Sequence, residues 1–209
     1  MGPGRWSGFY FITDSSLTRL GVRSDVEAAL AGGAALVQYR EKGLTCDERL
    51  AEARELLGLC RSARVPLIIN DEIALARDAG ADGIHLGQGD APPAEARSAL
   101  GPDAIIGVSV GSAEEAREAE SAGADYVAAS PVFSTTTKLD AGPGVGLEGL
   151  RAIRAATGLS LAAIGGLTLE RVADVVTAGA DLVCAISASL TGDDVAANVR
   201  ALREAMAPS

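Results

Sequence analysis

Histidine is nearly missing from this chain: among 209 residues there is one, His85. That excludes a site built from several imidazole ligands and argues against a Ser–His–Asp hydrolase. Cysteine is scarce as well. Cys46, Cys60 and Cys184 are odd in number and show no C-x-x-C spacing, so we expect thiols in a reducing cytosol rather than a disulfide or zinc framework. No apolar run reaches about 18 residues, so no transmembrane helix is expected. The opening M-G-P-G-R-W-S-G lacks the apolar core of a signal peptide, and we read the protein as cytoplasmic. Positive charge is in deficit, with 18 Lys and Arg against 28 Asp and Glu, a net −10. Nucleic acid and anionic membrane are therefore not expected partners. An anionic substrate would need a local cluster of Lys and Arg, or a metal.

What is present is ordinary globular material, 48% hydrophobic and 22% charged, with 25 glycines. One stretch organises the rest. Leu67 to Asp90 reads as strand, helix, strand, and each strand ends in polar residues: Asn70 and Asp71 after the first, Gly87 to Asp90 after the second. Parallel strands joined by a helix end on the same side of a sheet. Asp71 and Asp90 are thus expected close together, where two carboxylates can hold a hard cation such as Mg²⁺.

The alternation recurs along the chain. Strands are expected at 9–13, 35–40, 66–70, 83–86, 104–109, 125–130, 159–164 and 182–187. Helices are expected at 25–31 after a Ser24 cap, 47–62, 72–79, Pro92/Pro93 to Leu100, 113–121, 147–157, after a Thr168 cap, and 194–206. The strands are continuous apolar runs, as in parallel strands covered on both faces. An echo, A-G-G-A-A-L-V, A-G-A-D-G-I-H, A-G-A-D-Y-V-A and A-G-A-D-L-V-C, precedes the even-numbered strands. Each copy has Gly where a helix ends. Eight βα units in this length predict one domain over 1–209, an α/β TIM (β/α)8 barrel. A doubly wound sheet is the alternative.

In such a barrel the active site lies at the C-terminal strand ends. After the second strand come Gln38, Tyr39, Arg40, Glu41 and Lys42; after the third, Asn70 and Asp71; after the fourth, Gln88 and Asp90. The fifth ends in Ser109. The sixth is followed by Ser134, Thr135, Thr136, Thr137 and Lys138. The seventh ends in Gly165 and Gly166, the eighth in Ile186 and Ser187. The glycine pair and a helix N-terminus suit a phosphate. Arg40, Lys42 and Lys138 suit a second anion, with Mg²⁺ on Asp71 and Asp90. Each residue also has a plain reading: Asp71 as a helix cap, Asp90 as a turn residue, Gly165–Gly166 as a simple turn, His85 as barrel wall, Cys184 as core. The weight comes from their gathering at strand tops.

The ordered motifs Q-Y-R-E-K at 38–42, I-N-D at 69–71, H-L-G-Q-x-D at 85–90, G-V-S at 107–109, T-x-T-K at 135–138 and I-G-G at 164–166 resemble the thiamine-phosphate synthase (pyrophosphorylase) family. The resemblance spans the chain. It implies transfer of a hydroxymethylpyrimidine group from its diphosphate to the nitrogen of a thiazole phosphate, giving thiamine phosphate and pyrophosphate by a dissociative, Mg²⁺-assisted route. It implies that Gln38 to Lys42, Asn70, Ser109 and Lys138 hold the pyrimidine diphosphate. Asp71 and Asp90 would bind Mg²⁺, and Thr135 to Thr137, Gly166, Ile186 and Ser187 the thiazole phosphate. A homodimer is consistent with it. Gly89, Ser130 and Ser134 depart from the usual pattern. Gly111 stands near where the related thiazole tautomerases use an acid–base histidine; a tautomerase-like isomerase or a non-catalytic relative is the alternative.

Overall fold

Residues 6–135 and 143–207 are described in the structure, a computed structural model. The strands are β1 (Gly8–Ile12), β2 (Leu36–Tyr39), β3 (Leu67–Asn70), β4 (Gly83–Leu86), β5 (Ile105–Val110), β6 (Tyr126–Ala129), β7 (Ser160–Ile164) and β8 (Leu182–Cys184). Each pairs in parallel with the next, and β1 pairs with β8, closing an eight-stranded barrel. The helices are α1 (Val22–Gly32), α2 (Cys46–Ala63), α3 (Ile73–Ala79), α4 (Pro93–Leu100), α5 (Ala113–Ser121), α6 (Gly146–Ala156), α7 (Val172–Thr177), α8 (Ile186–Leu190) and α9 (Val195–Glu204). A doubly wound sheet is excluded by the closure. Among the described residues no helix is long and apolar enough to cross a membrane.

Local chemistry sets several helix ends. Thr45 and Glu48 form a reciprocal capping box at the start of α2. Ser112 and Asp194 cap α5 and α9 through Glu115 N–H and Ala197 N–H. Three expectations are corrected. Ser24 lies inside α1, which begins after Gly21, whose positive φ of 95° turns the chain earlier. Thr168 sits at an N-cap position, of a 3₁₀ turn at Leu169–Arg171, but its side chain caps nothing. Strand β8 stops at Cys184: Ser189 N–H bonds to Ala185 C=O, so Ile186 and Ser187 form the first turn of α8 rather than strand.

The echo has a structural meaning. Gly33, Gly80, Gly123 and Gly179 all take positive φ where a helix hands over to an even-numbered strand. The following aspartates pin the preceding strand. Asp82 accepts from Leu67 N–H, Asp125 from Ile106 N–H and Asp181 from Leu161 N–H, at 2.8, 2.8 and 3.0 Å. Arg97 reaches Asp125 at 2.6 Å and Arg154 reaches Asp181 at 2.9 Å. This set of pins lies at the N-terminal end of the barrel, the end associated with stability.

Side chains alternate across the barrel wall. Val37, Tyr39, Leu67 and Ile69 pack outward against the helices. Leu36, Tyr10, Tyr126, Leu182 and Cys184 pack inside. Aromatic residues are only 3% of the chain, yet Trp6, Tyr10 and Tyr126 meet there. Tyr126 has edge-to-face neighbours in Tyr10 and Trp6, with centroids 5.9 and 6.3 Å away, each pair adding about 1 kcal/mol beyond burial. Gly107 on β5 makes the room: a Cβ there would lie 1.9 Å from the Tyr126 ring.

Candidate active site

The top of β2 is held from two sides. Thr13 Oγ1 accepts from Arg40 N–H at 2.9 Å and donates to Arg40 C=O at 3.1 Å. The buried Asp14 lies 3.3 Å from the Arg40 guanidinium. Arg40 is thus fixed by the segment after β1, with its charge at the barrel mouth. Gln38 faces inward and is buried. Tyr39 does not reach the mouth: strand alternation turns it outward, where its hydroxyl donates to Glu52 on α2 at 2.6 Å. Glu41 is also turned into the protein. Burial opposes its ionisation, but bonds from the Ser15 hydroxyl and from Gly43, Lys42 and Leu44 N–H groups hold it below the usual carboxylate range. Glu41 gathers the loop that carries Lys42.

Asp71 and Asp90 are brought together as the topology required. Asp71 is not a helix cap; Glu72 takes that position. Asp71 instead adopts a left-handed backbone, φ 62°, a conformation that costs a non-glycine residue on the order of 1 kcal/mol and clusters at functional sites. Its carboxylate accepts from Lys42 Nζ at 2.9 Å. Asp90 closes its own turn by accepting from Gly87 N–H at 2.6 Å, so its turn role holds alongside any other. Burial resists ionisation of Asp71, while Lys42 and the Asp90 carboxyl hold it below the usual range. Burial pushes Asp90 up; Gly87 N–H opposes this and the neighbouring Asp71 charge adds to it. Two adjacent hard carboxylates that repel one another fit a divalent cation, which would relieve that repulsion. Among the described residues no third acid, His or Cys completes a cluster. That suits Mg²⁺, which commonly keeps water and substrate phosphate as its other ligands.

Ser109 is the penultimate residue of β5, half-buried. Its hydroxyl lies 2.9 Å from His85 Nε2, and its C=O accepts from Gln88 Nε2. Asn70 ends β3, paired in register with His85. Across the mouth, Gly165 and Gly166 have φ of 98° and 62°, and a Cβ on either would strike Pro131 or Ser134 within 2.5 Å. Glycine is therefore required for the turn itself. Beside it lies a cavity of ≈ 330 Å³ lined by Val132, Phe133, Ser134, Gly144, Gly146 and Arg171. The Arg171 guanidinium stacks on the Phe133 ring at 4.5 Å and donates to Gly166 C=O at 2.7 Å. Thr135 is described, half-buried on this side. Thr136, Thr137 and Lys138 lie outside the described residues. A larger cavity, ≈ 540 Å³ and lined by Arg61, Arg64, Asp82 and Asp103 among others, opens at the opposite, N-terminal end, away from the strand tops.

Asp14, Arg171, Tyr10 and Tyr126 carry no signature in the sequence. Asp14 follows a strand like many turn aspartates. Arg171 lies in a helical segment. Gln38, Tyr10, Tyr126, His85 and Ser109 meet only because the barrel closes. The strand alternation of 36–40 could have separated outward Tyr39 from inward Gln38.

Fold and site together define a TIM-barrel protein with a cationic, carboxylate-lined mouth suited to phosphorylated ligands. The chain matches the family described as thiamine monophosphate synthase over residues 9–189, and it belongs to that family. A thiamine-phosphate synthase of Chloroflexus aurantiacus is 46% identical over 195 residues, covering 93% of this chain and 90% of the relative. One of Methanoregula boonei is 47% identical over 198 residues, covering 93% and 91%. Among solved structures, a thiamine phosphate pyrophosphorylase from Pyrococcus furiosus superposes with a TM-score of 0.87 at 36% identity, covering 95% of each chain.

Proposed function

We propose that this chain is a transferase with the family's namesake activity, joining hydroxymethylpyrimidine diphosphate to hydroxyethylthiazole phosphate. The observation that carries the reading is the convergence of Arg40, Lys42, Asp71, Asp90 and Ser109 on one half of the mouth, opposite the glycine turn and Arg171. A net charge of −10 makes such local cation placement informative.

The bond between the pyrimidine methylene and the diphosphate oxygen breaks, and both electrons leave with pyrophosphate. The methylene carbocation is then attacked by the thiazole nitrogen, whose lone pair forms the new C–N bond. Arg40 and Lys42, with Lys138, neutralise charge growing on the leaving group. Asp71 and Asp90 would hold Mg²⁺, which when bound supplies further charge neutralisation at the diphosphate. Gln38, Asn70 and Ser109 orient the pyrimidine, with Tyr39 and Glu41 shaping the segment that carries Arg40 and Lys42. Thr135, Thr136, Thr137, Gly166, Ile186 and Ser187 hold the thiazole phosphate so that its nitrogen lies in line with the methylene. The reaction asks for no poised acid–base histidine, and Gly111, whose N–H bonds to Glu115 Oε2, offers none at the tautomerase position. We place the reaction in the cytoplasm and expect a homodimer, measurable by light scattering.

Protein, Mg²⁺ and both precursors should give thiamine phosphate and pyrophosphate in equal amounts. No product above the enzyme-free control overturns the proposal.

A further inference from the structure

A line of hydrogen bonds crosses the barrel interior beneath the mouth and joins two residues of the proposed site. Gln38 Nε2 donates to Tyr10 Oη at 2.6 Å. Tyr10 Oη and Tyr126 Oη are 2.7 Å apart. Tyr126 Oη lies 2.9 Å from His85 Nδ1, and His85 Nε2 lies 2.9 Å from Ser109 Oγ. Tyr10 and Tyr126 are fully buried, and Gln38 and His85 nearly so. The His85 ring also stacks on Tyr126, with centroids 5.5 Å apart.

Hydrogen counting gives this line a direction. An amide nitrogen only donates, and a tyrosine hydroxyl has one proton. Tyr10, having accepted from Gln38, donates onward to Tyr126. Tyr126, having accepted, donates to His85 Nδ1. A histidine that accepts at Nδ1 carries its proton on Nε2. That N–H points at Ser109 Oγ, which accepts and so keeps its own proton for another partner. In this direction each hydroxyl is both donor and acceptor, as buried polar groups require. Burial pushes both tyrosine hydroxyls well above their ordinary range, so both keep their protons.

We propose that Tyr10, Tyr126 and His85 are positioning residues: they lock His85 as the Nε2–H tautomer and thereby make Ser109 a hydrogen-bond donor into the substrate site. The role rests on the functional reading for its substrate, but the direction of the line does not. Two further facts show that the interior is built around it. Gly107 gives up its side chain to admit the Tyr126 ring. His85 is paired in register with both Asn70 and Gly107, between β3 and β5, so the line runs through the wall beneath Asp71 and Asp90.

Without the Tyr126 hydroxyl, His85 Nδ1 loses its donor. The imidazole proton can then move to Nδ1, and Ser109 turns its proton to Nε2 instead of the substrate. Because His85 is the sole histidine, ¹⁵N-histidine labelling gives one imidazole spectrum with no assignment problem. In mildly alkaline buffer, above the ordinary histidine range, ligand-free wild-type protein should show protonated Nε2 and bare Nδ1. Tyr126→Phe should move both ¹⁵N resonances towards the other tautomer while the melting transition stays cooperative. In turnover, Tyr126→Phe and Ser109→Ala should each lower kcat/KM roughly ten-fold or more, the loss expected for one buried hydrogen bond. The double variant should be no slower than Ser109→Ala alone, since Tyr126 acts through Ser109. A wild-type imidazole protonated at Nδ1, or losses that multiply in the double variant, would overturn the proposal. If wild-type protein makes no thiamine phosphate at all, the functional reading fails, while the ligand-free spectrum still decides the direction of the line.

Discussion

Lys42 Nζ lies 2.9 Å from Asp71 Oδ2, so a cation assigned to the leaving diphosphate and a carboxylate assigned to Mg²⁺ neutralise one another before ligands arrive. With Mg²⁺ placed there as proposed, metal and lysine would compete for Asp71. Removing the lysine should therefore help the metal and harm the reaction. Lys42→Ala is expected to tighten Mg²⁺ binding about two- to five-fold, the scale of a half-exposed ion pair, while kcat/KM falls by on the order of a hundred-fold. Calorimetric Mg²⁺ titration and steady-state rates check the opposite signs; a parallel loss of both would show that Lys42 supports the metal site rather than competing with it.

Asp14 should matter through Arg40. Its carboxylate is buried and faces the guanidinium at 3.3 Å. Asp14→Asn keeps the shape and removes the charge that orients Arg40. A loss of about 1–2 kcal/mol of charge-assisted bonding corresponds to roughly a ten-fold rise in KM for the pyrimidine diphosphate, with KM for the thiazole phosphate little changed. Separate substrate titrations test this.

Gly107→Ala puts a methyl where the Tyr126 ring is. Overpacking of this kind costs about 1–3 kcal/mol, and here it also pushes on the line between Gln38 and Ser109. Denaturant unfolding should show the lower stability, and activity at a temperature where the variant is folded should fall as well. Wild-type stability would contradict the packing.

The opposite end of the barrel should separate stability from function. Arg97 bonds Asp125 and the C=O groups of Pro102, Ala104 and Gly123. Arg97→Met leaves the half-buried Ala104 C=O without this donor and Asp125 with the bond from Ile106 N–H, while the exposed Pro102 and Gly123 C=O groups turn to water, costing about 1–3 kcal/mol. Thermal unfolding should shift down while kcat and KM below the transition stay within about two-fold, since this face carries stability and not chemistry.

Much of this was readable in the chain because the barrel repeats one rule. Apolar runs ending in polar residues gave the strands and their tops, and the Asp71–Asp90 pairing followed from parallel connectivity alone. The echo's aspartates were visible, but their bonds to the preceding strand depend on a register that no local pattern states. Tyr39 reads as part of the mouth in the sequence, whereas alternate residues of a strand face opposite layers and its hydroxyl meets Glu52 outside the barrel. Strand 8 reads longer in the sequence than it is, since Ile186 and Ser187 suit either element, and the bond from Ser189 N–H to Ala185 C=O decides for helix. The line from Gln38 to Ser109 joins residues of five different strands. It exists only once the barrel has closed, and so His85 reads as plain wall in the sequence.

The most direct measurement follows a single turnover of both phosphorylated precursors by rapid quench, with Mg²⁺, with a chelator, and with Mg²⁺ restored, in wild-type, Asp71→Ala and Asp90→Ala protein. The account predicts thiamine phosphate and pyrophosphate appearing together in equal amounts with Mg²⁺. Both products should be lost on chelation, recovered when the metal returns, and strongly reduced in each variant. Wild-type rates in either aspartate variant, or undiminished product under chelation, would contradict it.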